Sequence, residues 1–213
     1  MKIQPEMSTR QLLMTLLKTK GPIAVSRLAA ELGITEMGVR RHLNQMEKDG
    51  YIETTVVRQA MGRPTFLYAL TEHGHEQFPR NYSHLLLELL EELDDSQGSQ
   101  AVHQLFDGRK HKMLDRYGPK MEGRDLSERV AELTSIQHAG GYMAHWEQEK
   151  DGSYTLYEYN CPINEVARRY QHACACEQSL FQELLQAEVT RTECLALGGS
   201  CCKYRIQPPG PSA

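Results

Sequence analysis

The order of elements in the N-terminal third constrains the fold more than any other feature of the chain. Leu12, Leu13, Leu16 and Leu17 make one apolar stripe, which predicts a helix from about Ser8 to Lys18, stopped by Gly21-Pro22. A second helix is expected over Val25 to Leu32, with Leu28, Ala29 and Leu32 at core spacing and Gly33 ending it. Thr35 is placed to cap a third helix running to about Lys48, in which Val39, Leu43 and Met46 recur at i, i+4 and i+7. After Asp49-Gly50, Tyr51 to Arg58 is rich in β-branched residues, and Thr65 to Leu70 reads as its partner strand across a loop holding Met61-Gly62-Arg63-Pro64. Three short helices followed by a two-stranded hairpin is the plan of a winged helix-turn-helix.

Beyond Thr71 the pattern changes. Tyr82, Leu86, Leu89, Leu90 and Leu93 line one side of a helix over residues 82–95, a stripe that is either domain core or a dimer seam. Helices are expected over 99–117 and 124–137, broken at Gly118-Pro119 and Gly123. From Gly140 the period turns to two, predicting strands Tyr142 to Glu149 and Tyr154 to Tyr159 around Asp151-Gly152. Pro162 suits the first turn of a short helix with Cys161 near its cap, and another helix covers Cys174 to Gln186. A last hairpin joins Val189–Leu197 to Cys202–Gln207 across Gly198-Gly199. The expected class is α+β. A winged helix-turn-helix domain (1–78) leads through a helical connector, a possible dimerisation region (79–137), to an α/β cysteine-rich sensor domain with short antiparallel hairpins (138–207). A disordered Pro-rich tail (208–213) is expected to follow.

Charge and composition narrow the partners. Residues 1–75 carry ten Lys/Arg against seven Asp/Glu, a net of +3 that leaves −7 on the remainder, so the front of the chain is the part suited to phosphates. Met1-Lys2-Ile3-Gln4-Pro5 leads into a polar stretch and not a secretory leader, and no apolar run is long enough to span a bilayer. A cytoplasmic protein without membrane contact is expected. No phosphate loop, nucleophile elbow or pair of catalytic carboxylates stands out, so an enzyme is not expected.

In a helix-turn-helix the second helix of the motif enters the major groove with its N-terminal half against base edges. Here that half presents Thr35, Glu36, Met37, Arg40 and Arg41, with Asn44 and Gln45 a turn further on. Arginine can bond guanine O6 and N7 together, and Asn or Gln can read adenine or hold phosphate. Arg58 and Arg63 flank the Gly-Arg-Pro turn and can reach the backbone or minor groove. The expected partner is a double-stranded DNA operator. The competing readings are a solvated arginine face or a protein-binding winged helix.

All six cysteines, Cys161, Cys174, Cys176, Cys194, Cys201 and Cys202, fall in the last quarter of the chain, which in a reducing compartment points to metal or redox chemistry. Cys161 near a helix N-terminus would have its thiolate favoured by the dipole. A three-residue turn at 197–199 would set Cys194 opposite Cys202 on one face, with Cys201 on the other. Cys176 faces away from Cys174 on a helix. The preferred ligand set is therefore Cys161, Cys174, Cys194 and Cys202, with Cys176 and Cys201 in reserve. Four thiolates suit an iron–sulfur cluster or zinc; the spacing Cys-x12-Cys-x19-Cys-x7-Cys lacks zinc knuckles and leans toward a cluster. His145, His172 and Glu177 are further donors, with His172 and Glu177 expected as solvated side chains.

The segments Leu32-Gly33-Ile34-Thr35-Glu36-Met37-Gly38-Val39-Arg40-Arg41-His42-Leu43, Gly62-Arg63-Pro64 and Tyr68-Ala69-Leu70-Thr71-Glu72-His73-Gly74 resemble the bacterial SufR-type regulators. So do Asn160-Cys161-Pro162-Ile163, Cys174-Ala175-Cys176-Glu177 with Leu180-Phe181, Val189-Thr190-Arg191 and Cys202-Lys203-Tyr204-Arg205-Ile206. The resemblance implies a homodimeric repressor that binds a [4Fe–4S] cluster and controls genes of iron–sulfur cluster assembly. Cys161, Cys174 and Cys202 match that pattern and Cys194 is carried over as the fourth ligand. Cys176 and the Cys201-Cys202 pair depart from it, leaving open a thiol switch or ligand exchange. Two other readings stay open: a zinc or thiol-redox regulator, and a small-molecule sensor whose cysteines are incidental.

Overall fold

The chain divides into two units that meet between Arg80 and Asn81. The computed structural model describes residues 7–58 and 63–208. The chain start, Met61 and Gly62 of the expected wing, and residues 209–213 of the expected tail lie outside the described residues.

In the first unit Ser8 closes a capping box on α1 (Thr9–Lys20): its hydroxyl accepts from the Gln11 amide at 3.3 Å, and the Gln11 side chain accepts from the Ser8 amide at 2.8 Å. A two-residue strand β1 (Ile23–Ala24) leads into α2 (Val25–Leu32), which ends at Gly33 in the left-handed region (φ +66°), where glycine has no steric penalty. Thr35 caps α3 (Glu36–Lys48) by accepting from the Gly38 amide at 3.2 Å. β2 (Ile52–Val57) and β3 (Thr65–Leu70) pair antiparallel from Ile52↔Leu70 to Val57↔Thr65. β1 adds to the other edge of β3 through Ile23↔Tyr68, so the expected two-stranded hairpin is a three-stranded sheet in the order β1-β3-β2. Two residues are too few to show a period, which is why β1 was invisible in sequence. Leu13, Leu17, Leu28, Val39, Leu43, Met46 and Ile52 fill one core between the helices and the sheet.

A short helix α4 (Glu72–Glu76) follows β3, and nothing in its His-Gly-His sequence announces it. It is held by Thr71, whose hydroxyl donates to the Gly50 carbonyl at 2.6 Å and accepts from the Gly74 amide at 3.0 Å. Gly74 is needed for room: a Cβ there would stand 2.0 Å from the Tyr51 carbonyl oxygen.

The second unit opens with α5 (Tyr82–Gln97) and α6 (Ser99–Tyr117), followed by a 3-10 turn (Gly118–Met121) and α7 (Leu126–Ala139). Then come β4 (Ala144–Gln148), β5 (Tyr154–Glu158), α8 (Asn164–Arg169), α9 (His172–Leu185), β6 (Glu188–Glu193) and β7 (Cys202–Gln207). The two hairpins expected from sequence fuse into one antiparallel sheet, order β4-β5-β7-β6, because β7 also pairs with β5. One face carries Ala144, Leu156, Tyr204, Ile206 and Val189 into a core shared with Val130 and Leu133 of α7 and Leu180, Phe181 and Leu184 of α9. Residues 79–137 are therefore not a separate connector. From Asn81 onward they belong to the sheet's own unit, because the inner sheet face is apolar and needs α7 to cover it.

On α5, Leu90 is buried against Val102 and Val166, while Leu85, Leu86 and Leu89 lie exposed, Leu89 at 59%. No helix among the described residues is long and apolar enough to cross a membrane.

Candidate functional site

Two sets of residues stand out, one in each unit. On α3, Val39, Leu43 and Met46 turn inward, and the opposite face presents Glu36, Met37 (76% exposed), Arg40, Arg41 and Asn44 together. Thr35 is also exposed but committed to its cap. Arg40 lies 3.5 Å from Glu36 one turn back, a solvated pair that is easily exchanged for another anion. Gln45 is the exception on this surface: its side-chain amide donates to Asp49 at 2.8 Å, and Asp49 also receives Arg10 at 2.7 Å, so Gln45 braces the helix end. Arg58 and Arg63 are exposed at the sheet ends that bound the wing.

In the second unit the cysteines divide into three groups. Cys161 sits in the loop after β5, with its carbonyl accepting from the Asn164 amide at 3.1 Å. α8 begins only at Asn164, with Ile163 at its cap, so the expected helix-cap position for Cys161 does not form. Burial pushes the Cys161 thiol up to about 11 against the pull of the Ile163 amide, the reverse of the expected dipole effect. Cys174 lies in the first turn of α9, Cys194 just beyond β6, and Cys202 at the start of β7; all three are in the common core.

Cys194 is the meeting point of this set. It shares the core with Cys174 and Cys202, and Cys174 is near enough to exchange a hydrogen bond with it. Burial pushes the thiols of Cys174 and Cys202 up to about 12, and the Leu195 amide donates to the Cys202 sulfur at 3.4 Å. β6 and β7 pair as far as Glu193↔Lys203, and Cys194 and Cys202 are the next residues on the two sides. β6 ends at Glu193, short of the expected Leu197, and the connection includes a 3-10 turn (Leu195–Leu197), with a bulge between Arg191 and Glu193.

The reserve cysteines go elsewhere. Cys176 turns to α6, its thiol 3.2 Å from Asp107 Oδ1, while the Cys201 amide donates to Glu193 at 3.4 Å. His145 is exposed on β4, paired with Glu147 at 3.5 Å and remote from the thiols in role. His172 is half-buried and lies 3.1 Å from Asp107, not solvated as expected.

Several residues around the thiols were misplaced or missed in sequence. Glu177, expected in solvent, is buried because α9 turns it under the sheet, where its Oε2 accepts from the Tyr204 hydroxyl at 3.0 Å. Glu158 on β5 is 0% exposed and accepts from Gln137 at 2.7 Å through Oε1, while Oε2 has no partner. Burial, and then the neighbouring Glu177, push the Glu158 carboxyl up to about 9, so it keeps its proton at neutral pH. Arg191 of β6 faces Tyr204 across the ladder, and its Nη1 is buried without a hydrogen-bond partner. Cys194 and Cys174 are among the groups that offset the cost of burying its charge.

Comparison with known proteins adds the following. Residues 9–58 match the family described as "HTH domain", and this part of the chain is a helix-turn-helix domain. No curated protein matches the chain. Among solved structures it is similar to Streptococcus pneumoniae FabT in complex with DNA, at 21% identity over 57% of this chain and 79% of that one, TM-score 0.28. It is similar to Bacillus subtilis PadR in complex with operator DNA, at 14% identity over 82% and 98%, TM-score 0.29. An H-NOX protein from S. oneidensis is similar at 11% identity over 96% and 100%, TM-score 0.38. At these identities and scores no role and no site residue is carried over from them.

Proposed function

We propose that the chain is a homodimeric, DNA-binding transcription repressor that senses iron–sulfur or redox status through a [4Fe–4S] cluster held by Cys161, Cys174, Cys194 and Cys202. Control of iron–sulfur cluster assembly genes is what its SufR-type resemblance implies. The helix-turn-helix match and the continuous exposed face of α3 support the DNA-binding part.

The observation that carries the sensing part is that Cys174, Cys194 and Cys202 share one core beside Arg191, whose Nη1 is buried without a hydrogen-bond partner. A thiolate-bound cluster is anionic, and Arg191 offers a positive charge and a buried Nη1 that has no hydrogen-bond partner. Four thiolates on one zinc, each at about 2.3 Å, would crowd within about 4 Å of one another. Among the described residues the donors that close to within 4.8 Å are a different set, Asp107, His172 and Cys176.

The residues themselves define what such a centre would join: the loop before α8, the first turn of α9 and both sides of the last hairpin. When bound, the cluster supplies a redox-sensitive and oxygen-labile tie among these four thiols. A groove lined by Tyr82, Leu86, Cys161, Pro162 and Ile163 puts the Cys161 loop next to the exposed leucines of α5. We assign that face to the seam with a second copy, which places one ligand at the edge of the dimer contact.

The test is anaerobic purification followed by absorption and by iron and acid-labile sulfide analysis. A broad visible band with about four iron and four sulfide per chain is expected, with the band lost in Cys161→Ser and Cys202→Ser. A colourless protein that cannot be reconstituted refutes the cluster and leaves the DNA-binding reading to operator assays.

A further inference from the structure

Cys176, one of the two reserve cysteines, belongs to a second constellation, on the far side of α9 from Cys174. His172 and Cys176 are four residues apart, so both side chains leave the same face of α9. Facing them on α6, His103 and Asp107 are also four residues apart. Asp107 Oδ1 lies 3.1 Å from His172 Nε2 and 3.2 Å from Cys176 Sγ, and the ligand atoms of all three lie within 4.8 Å of one another. The His103 ring stacks on that of His172 with centroids 4.1 Å apart. Cys176 is 7% exposed, whereas Asp107 and His172 are half-buried, so the cluster has a closed floor and an open mouth.

We propose that Asp107, His172 and Cys176 form a second metal site, distinct from the four-cysteine set, that takes a zinc-class divalent cation and clamps α6 to the start of α9. The donor set selects the metal. One sulfur, one imidazole nitrogen and one carboxylate oxygen on facing helices suit a borderline cation, while magnesium and calcium call for oxygen alone. Three protein ligands leave a fourth position for water or, by rotation of its ring, for His103. As the metal–sulfur bond forms, the Cys176 proton leaves to solvent and the imidazole of His172 binds in its neutral form. Lys110 is the nearby cation that would oppose the metal, and it is already engaged, donating to Glu183 at 2.9 Å and to Ser179 at 3.3 Å. Arg109 is exposed and free to turn to solvent.

The test uses the full chain carrying Cys161→Ser and Cys202→Ser, which disables the four-cysteine set, with circular dichroism to confirm its helices. Titration with cobalt(II) under reducing conditions should bind about one metal per chain and give a sulfur-to-cobalt charge-transfer band of single-thiolate intensity. Adding Cys176→Ser should abolish that band, and His172→Ala should weaken cobalt binding by at least about tenfold. Absence of cobalt binding in the folded host overturns the site, as does a charge-transfer band that survives Cys176→Ser. Should the host fail to fold, the unaltered chain is used with zinc. There His172→Ala, which leaves all four proposed cluster ligands in place, must lower bound zinc by one per chain, and unchanged zinc content overturns the site. Because Cys176 and His172 lie outside the four-cysteine set, failure here leaves the iron and sulfide result untouched, and the converse holds as well.

Discussion

Arg191 stands across the β6–β7 ladder from Tyr204, with one guanidinium nitrogen buried and unpaired beside Cys174 and Cys194. In the metal-free chain an unsatisfied buried donor costs about 1–3 kcal/mol. Arg191→Met should therefore leave metal-free stability unchanged or raise it by about 1 kcal/mol, while iron retained after anaerobic reconstitution falls. Denaturant melts and iron assays on the same preparation check the opposed signs. Equal losses in both would make Arg191 a structural residue only.

Gly74 is tight for a different reason. A methyl group there meets the Tyr51 carbonyl at 2.0 Å, and backbone cannot swing aside as a flexible side chain can. Gly74→Ala should destabilise the first unit by about 1–3 kcal/mol, measured by urea unfolding. Operator affinity would then fall with the folded fraction and not through any lost contact.

Burial of Glu158 sets a pH dependence. Unfolded, this carboxyl ionises above its ordinary value of 4.5; folded, it holds its proton up to about 9. The folded form thus binds more protons between those limits, and the stability it contributes is present at low pH and falls as pH rises through the window. The slope is at most on the order of 1 kcal/mol per pH unit and flattens above about 9. Glu158→Gln, which keeps the shape and stays neutral, should flatten the slope in the metal-free chain and be the more stable form at pH 8. A slope identical to the parent's would assign the dependence to other groups.

The exposed leucines of α5 allow the proposed dimer seam to be tested apart from folding. Leu89→Glu, at an exposed position, should change unfolding free energy by no more than about 0.5 kcal/mol while shifting the chain to monomer in light scattering. The neighbouring Leu90→Ala, which opens a buried site, should cost about 2–5 kcal/mol. A dimer that survives Leu89→Glu moves the seam elsewhere.

On α3, Arg40→Ala should reduce discrimination between operator and random DNA by about 1–3 kcal/mol, read by fluorescence anisotropy at fixed salt. An equal loss on both DNAs would make it a phosphate contact. Gln45, tied to Asp49, should report on helix stability more than on sequence.

The helices and strands that could be read in sequence were those with local signals. Val25–Leu32 and Thr65–Leu70 had a period and a stop at each end, and the structure places both at those bounds. α4 has no apolar stripe, and its existence depends on Thr71 reaching the carbonyl of Gly50, twenty-one residues away. The hairpin that carries Cys194 and Cys202 followed from counting across one turn, while the bulge at Arg191/Glu193 did not, because nothing local marks it. Glu177 and Glu158 look like ordinary surface carboxylates until the sheet is assembled, and their burial depends on α9, β5 and β7 coming together from distant parts of the chain. His172 was misjudged for the same reason, since its partner Asp107 lies sixty-five residues earlier.

The order of strands across the second sheet has a consequence for synthesis. β7 lies between β5 and β6 but follows both in sequence, so neither has its full complement of neighbours until the ribosome has delivered β7. The first unit, closed by Arg80, can already be folded by then. A nascent chain therefore gains a fold able to meet DNA well before Cys202 arrives to join the other thiols. Newly made protein has to pass through a stage in which α3 is complete and the sheet that carries Cys202 is not.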